Sequence, residues 1–533
     1  MKYPLIASIL LLAACQTKTE TATTVEAHLG DLGHEFPISE VAQADFDKGL
    51  LLLHSFEYED ARESFIKAKE ADPNEVMAYW GEAMTHYKAL WGLQDVDAGR
   101  EVIKSLGETE EERLAKAENQ LEKDFWKGVE LLYGEGELTE RNKNFLDHMA
   151  GLYEANPNNQ EVAAFYALGL MWSDYDDVEN LKKSTAVAAG ILKENPTHPG
   201  ALHYMIHAND DPEYAQIAID AANEYAKVAP DAAHALHMPS HIYVALGMWN
   251  QVVSSNIDSY QASVNRMERK ELDGNARGYH SYAWLHYGYL QQGEYDKAAQ
   301  MLRDMISYYK DSVGSDGYLI TMQNEQRIES DTWPEDITPI NVDYSSLGLQ
   351  DKSAMHFFRS MLAFDRKDAQ AIKNEIDTLY AHVEAAKLVV TNDGIALCSA
   401  GPTRYAPSQS SIDKTLAVIY QMEALKAQVE GNDAKIEEFM KKAVEQESKS
   451  QYDSGPPFIA YPTFEQYGDW LLTKGRYEEA LSQFDTSLKH RTNRAKALIG
   501  KKEALLRLQR IKEAQEVEII LDAFRVKEEL AAM

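Results

Sequence analysis

Four histidines fall into two matched pairs, His203 with His207 in HYMIH and His237 with His241 in HMPSH, and the pairs stand 34 residues apart. Residues four apart on a helix share one face, with Cβ atoms about 5–6 Å apart, so each pair can aim two imidazoles at one point. An interval of 34 is also the length of a repeating helix-turn-helix unit, and stacking consecutive units would bring both pairs together. Neutral imidazole is the commonest side-chain metal ligand and suits Zn, Cu, Fe and Ni. The expected chemistry is a transition-metal site on His203, His207, His237 and His241, with Zn first and Cu or Fe as alternatives.

The elements that must position these residues can be read from a second marker. Pro196 and Pro230 each close a helix pair and repeat the 34-residue interval. Counted from the third residue after each proline, the histidines take positions 5 and 9, and His234 takes position 2 of its unit. Positions 2, 5 and 9 lie on one helix face. His280 takes position 2 of a later unit, which makes His234 and His280 additional candidates. Asp210 and Asp211, just beyond the first pair, could supply oxygen ligands or orient an imidazole. Residues 198 to 286 hold eight of the 16 histidines in a chain of 533. Even spreading would place roughly 2.7 there, so the segment is enriched about threefold. Pro239 sits inside the second pair, where it removes an amide donor and clashes with the carbonyl of Ala235; the helix must kink there or restart. The competing reading is that these histidines bond backbone carbonyls or line a peptide groove.

The N-terminus bears on location. Lys2 precedes a short apolar run from Leu5 to Ala14, which ends in Leu12-Ala13-Ala14-Cys15 and is too short to span a bilayer. This stretch resembles a bacterial lipoprotein signal. The resemblance implies a signal peptide over residues 1–14, lipid on Cys15 as the membrane anchor, and, from Gln16, an outer-membrane lipoprotein of the cell envelope facing the periplasm or the surface. Residues 15–38, rich in Thr and Glu, read as a flexible tether. Cys15 and Cys398 are the two cysteines, so an internal disulfide is not expected. The formal charge of −33 argues against nucleic acid and anionic headgroups as partners.

Repeat spacing continues through most of the chain. Tyr58, Ala61, Phe65, Ala68 and Pro73, with Gly49 before them, alternate large wedges with small residues that permit close helix approach; Trp80 and Trp91 are further core candidates. The charged run 107–123 reads as a solvated face. Gly293, Tyr295 and Ala298 mark another unit, in which His286 is expected to pack between helices, and Gly468, Gly475, Tyr477, Ala480, Phe484, Ile511 and Ala514 mark the last ones. The period lapses at 311–345, which reads as an irregular insertion, and again at 392–411, where Cys398 reads as a small buried residue. The expected architecture is all-α, a tetratricopeptide-repeat α-solenoid with irregular insertions: an N-terminal helical domain over 39–310, the insertion over 311–345 and a C-terminal helical domain over 346–533.

The segments MAYWGEAM, HPGALHYMIHA and HMPSHIYVALGMW resemble those of a group of bacterial tetratricopeptide-repeat proteins. The likeness implies the fold, with the histidine face lining a concave groove, and no reaction. No HExxH, GxSxG, Walker loop or dinucleotide glycine pattern is present. Three functions remain. The first is an envelope protein whose metal-bearing groove binds a peptide, protein or glycan; the second is a metal-dependent hydrolase or oxidoreductase; the third is a metal-free peptide- or glycan-binding scaffold.

Overall fold

The computed structural model describes residues 28–33, 36–173, 177–310, 314–388, 390, 407–450 and 452–526. The proposed signal, Cys15 and Cys398 lie outside them. The described chain is all-α, built of antiparallel helix pairs stacked in sequence, beginning with Gln43–His54 on Tyr58–Ala71 and ending with Ala495–Arg507 on Ile511–Asp522. The exception is a two-residue ribbon, Tyr87–Lys88 with Leu93–Gln94. No described helix is long and apolar enough to cross a membrane.

The packing follows from the glycine and aromatic spacing. Phe65 is fully buried between Gly49 and Gly81, and a Cβ at Gly81 would stand 2.3 Å from its ring. Phe484 repeats the arrangement between Gly468 and Gly500, where a Cβ would again fall 2.3 Å away. The aromatic ring thus takes the volume that the two glycines leave empty, and the helices close around it. Tyr58 is buried as expected, whereas Tyr477 is only half-buried. Gly475, two residues earlier, meets its ring in ordinary contact, so no tight wedge forms there.

Three boundaries differ from the sequence reading. The end of the expected tether is docked: Leu29, Phe36 and Ile38 are buried in the core, and the Asp31 amide donates to the Thr197 carbonyl at 3.2 Å. The expected insertion contains a regular helix, Asp316–Glu329, almost all of it buried. Turn residues on both sides masked its periodicity, because a helix buried all round shows no polar stripe to read. After it, the irregular backbone is held by Gln323, whose side chain both donates to and accepts from Ile340, at 3.1 and 2.7 Å. The second expected irregular stretch ends earlier than predicted, since a Ser408 capping box starts the helix Gln409–Val429.

The C-terminal repeats return to the histidine repeats instead of forming a separate body. Trp249 Nε1 donates to the Asn493 carbonyl at 2.7 Å, and the Val526 amide donates to the Gln292 carbonyl at 3.0 Å. Arg494, fully buried, donates to Glu465 at 2.8 Å and also reaches Glu329 and the Tyr287 hydroxyl. One apolar core accordingly runs from Leu29 to Trp249 and on through Leu498 and Phe524.

Candidate metal centre

The first histidine pair lies on the helix Pro199–Ala208, which His198 caps by accepting the Ala201 amide. The second pair spans a break. One short helix, Ala233–His237, ends where another, Pro239–Ala245, begins, with proline as its first residue. Proline lacks the amide that a continuing helix needs and is tolerated at a start, so the chain resets at Met238. The freed His237 carbonyl accepts from the Ser240 hydroxyl at 2.7 Å. His280 comes from the next unit, on Tyr279–Gln292.

The four expected ligands do not meet at one point. They divide into two adjacent sets of three, His203 with His207 and His234, and His237 with His241 and His280; within each set the ligand atoms lie within 4.8 Å of one another. Stacking offsets each helix from the last, so each pair is completed by a position-2 histidine, His234 from the unit that follows the first pair and His280 from the unit that follows the second. The sets adjoin through His207 and His241, whose ring centres are 5.7 Å apart.

Three of the outer nitrogens are fixed. His203 Nδ1 donates to the His54 carbonyl at 2.7 Å, His237 Nδ1 to Asn256 Oδ1 at 2.7 Å, and His241 Nδ1 to Asp210 Oδ2 at 2.6 Å. Asn256 is held in turn by donating to the Val252 carbonyl. Metal-ligating histidines characteristically commit their second nitrogen in this way. Asp210 therefore orients His241, while Asp211 accepts the Glu213 amide in a local turn.

The inner nitrogens converge. His203 Nε2 is 3.2 Å from His234 Nε2, and His237 Nε2 is 3.2 Å from His241 Nε2. A neutral imidazole carries one N–H, so with both Nδ1 atoms donating, the contact between the inner nitrogens of His237 and His241 is left without a proton of its own. Burial holds His203, His207, His234, His237 and His280 well below the usual histidine range, with neighbouring histidines adding to the effect. A shared proton is thus a poor bridge, whereas a metal ion fits. Two nitrogens at 2.0–2.1 Å from one tetrahedral ion stand about 3.3–3.4 Å apart. Among the described residues His207 has no hydrogen-bond partner on either ring nitrogen, and His280 Nε2 has none.

The centre is not an open groove: His203, His207, His237 and His241 are each at most 2% exposed. Phe56 covers the first set, its ring centre 4.2 Å from that of His203. Trp284 covers the second, 4.8 Å from His237 and 4.5 Å from His241. The loop 452–457 presses on Trp284 through Gly455, and beside it the Tyr452 phenol is held well above its usual value by burial and by the charges of Asp210 and Asp211.

A third group of possible ligands, His54, Glu161 and His198, is fully buried. His54 bonds Tyr204 and Glu161 at 2.9 and 2.8 Å, and His198 Nε2 stands 3.3 Å from Glu161. Both His54 nitrogens are thus engaged, whereas Glu161 Oε1 and His198 Nε2 carry no hydrogen bond among the described residues, and the His54 carbonyl orients His203, so the group also braces the first set. As expected, His286 packs between helices, bonded to Gln326 at 3.1 Å.

Phe56 and the bracing group have no metal-ligand spacing in sequence and were not anticipated. One signal for Phe56 existed. It stands two residues before the Tyr58 helix, where Gly247, Gly293 and Gly475 precede theirs, and like them it has positive φ, at 56°. A phenylalanine in that conformation costs about 1–3 kcal/mol.

No protein-family model and no curated protein matches the chain. Among solved structures, the human IFIT1 dimer with m7Gppp-AAAA is 11% identical with a TM-score of 0.32, covering 92% of this chain and 89% of that one. Ypp1 is 11% identical with a TM-score of 0.36, covering 90% and 86%. The P58(IPK) TPR domain is 11% identical with a TM-score of 0.19, covering 89% and 99%.

Proposed function

We propose that this chain is a lipid-anchored envelope metalloprotein in which His203, His207 and His234 hold one transition-metal ion and His237, His241 and His280 hold a second. The observation that carries this reading is the 3.2 Å approach of the inner nitrogens of His237 and His241, with both outer nitrogens donating to protein acceptors. Six neutral imidazoles without a carboxylate suit Zn and Cu better than the two-histidine, one-carboxylate set of non-haem iron. Three protein ligands per ion leave a coordination position open, as in catalytic rather than structural zinc sites. An ion bound there would lower the pKa of a coordinated water and supply a nucleophile at neutral pH. The chain's part is to orient the imidazoles through Asp210, Asn256 and the His54 carbonyl, and to exclude bulk water through Phe56 and Trp284.

The test is elemental analysis of the purified full chain and of His207→Ala and His280→Ala. Wild type should hold two ions and each variant one. Wild type without metal above background would refute the reading.

A further inference from the structure

Beside the second histidine set lies a cleft lined by His280, Trp284, Tyr318, Thr321, Glu325 and Asp351, with Ser454 and Pro456 of the returning loop on its other side. Its polar groups are buried without being satisfied. Glu325 and Asp351 are 2% and 5% exposed. Glu325 Oε1, Asp351 Oδ2 and His280 Nε2 have no hydrogen-bond partner among the described residues. Glu325 Oε2 stands 3.4 Å from His286 Nδ1. Leaving a buried polar group unpaired is costly, and three such atoms on one cleft indicate that a ligand completes them.

We propose that this cleft binds a small neutral molecule bearing two or more hydroxyl groups, one donating to Glu325 or Asp351 and another directed at the open position beside His280. This rests on the metal reading above for its inner end only. The lining decides the ligand class. It contains neither lysine nor arginine, so a phosphate or carboxylate would find its only counter-charge at the inner end and would meet two acidic side chains along the rest of the cleft. An ammonium would satisfy the acids, but it would lie within a few ångströms of a divalent ion, and like charges at that range in a buried site repel strongly. Hydroxyl groups meet both ends, because each can donate to a carboxyl and offer an oxygen lone pair to a metal. Trp284 and Tyr318 add apolar wall for the carbon skeleton.

The experiment uses the full chain loaded with Co(II), whose visible spectrum reports ligands entering the coordination sphere. Glycerol, sorbitol and glucose are titrated, with 1,3-diaminopropane and inorganic phosphate as comparisons, while calorimetry follows binding independently of the metal. At least one polyol should bind saturably and shift the spectrum. Glu325→Leu and Asp351→Leu should weaken it about tenfold or more at unchanged cobalt content, and Thr321→Val, a milder change in the wall, should weaken it measurably if either leucine variant fails to fold. The proposal is overturned if no polyol binds saturably, if the diamine or phosphate binds more tightly than any polyol, or if the variants bind as wild type does. Polyol binding by calorimetry in a chain that takes up no metal would support the cleft and refute the metal reading.

Discussion

Asp210→Ala should loosen one ion and spare the other. The Asp210 carboxylate accepts from His241 Nδ1 at 2.6 Å, with the two side chains 2% and 0% exposed, so water cannot take its place. Removing it frees the imidazole to rotate or to change tautomer, and it removes a negative charge that makes the ring a better donor to metal. Loss of such a partner typically costs 10–100-fold in affinity, or about 1.4–2.7 kcal/mol. Asp210 reaches only the second set, whereas the first is oriented by the His54 carbonyl. Chelator competition on zinc-loaded protein should therefore resolve two classes of ion, one displaced at about 10–100-fold lower chelator concentration in the variant and one unchanged. Asp210→Asn, which keeps an acceptor oxygen without the charge, should fall between. Equal loosening of both ions would mean that the two sets are not independent, and no loosening of either would mean that His241 is not a ligand; both results contradict the assignment.

Phe65→Ala should destabilise the fold by about 3–5 kcal/mol, since Gly49 and Gly81 cannot fill the cavity; an unchanged melting temperature would refute the packing. Burial pushes the Asp351 carboxyl up to about 7 from an ordinary 3.8. A raised carboxyl stabilises below its unfolded value and loses that contribution as pH rises through about 7, so Asp351→Asn should gain on wild type between pH 4 and pH 8, by on the order of 4 kcal/mol at most. Parallel melting curves at the two pH values would contradict this. Cys15→Ser should move the protein from the membrane to the soluble fraction; continued membrane association would remove the anchor from the proposal.

The repeat architecture was legible because its determinants are local. Glycine, aromatic and proline markers recur at fixed offsets, and Phe65 and Phe484 sit between their glycines as that spacing requires. The histidines were legible as a cluster, but not as two sets of three. Which imidazoles share a point depends on the offset between stacked units, and a single helix face does not contain that offset. His234 and His280 were visible at position 2, yet nothing local marked them as completing partners. Glu161, Asn256 and Trp284 act on the centre from other elements through contacts that only the packed fold creates. The helix Asp316–Glu329 was missed for a different reason: with neighbours all round, it has no polar stripe to betray its period.

The return of the last repeats bears on how the chain opens. A linear stack of repeats frays from its ends, because an outer unit is held by one neighbour only. Here Trp249 bonds Asn493, Gln292 bonds Val526, and Arg494 ties Tyr287 and Glu329 to Glu465, so the last units are held from two sides. Amide exchange in Ala495–Arg507 should then be as slow as in the histidine helices, and both should exchange through one concerted opening rather than a gradient from the C-terminus.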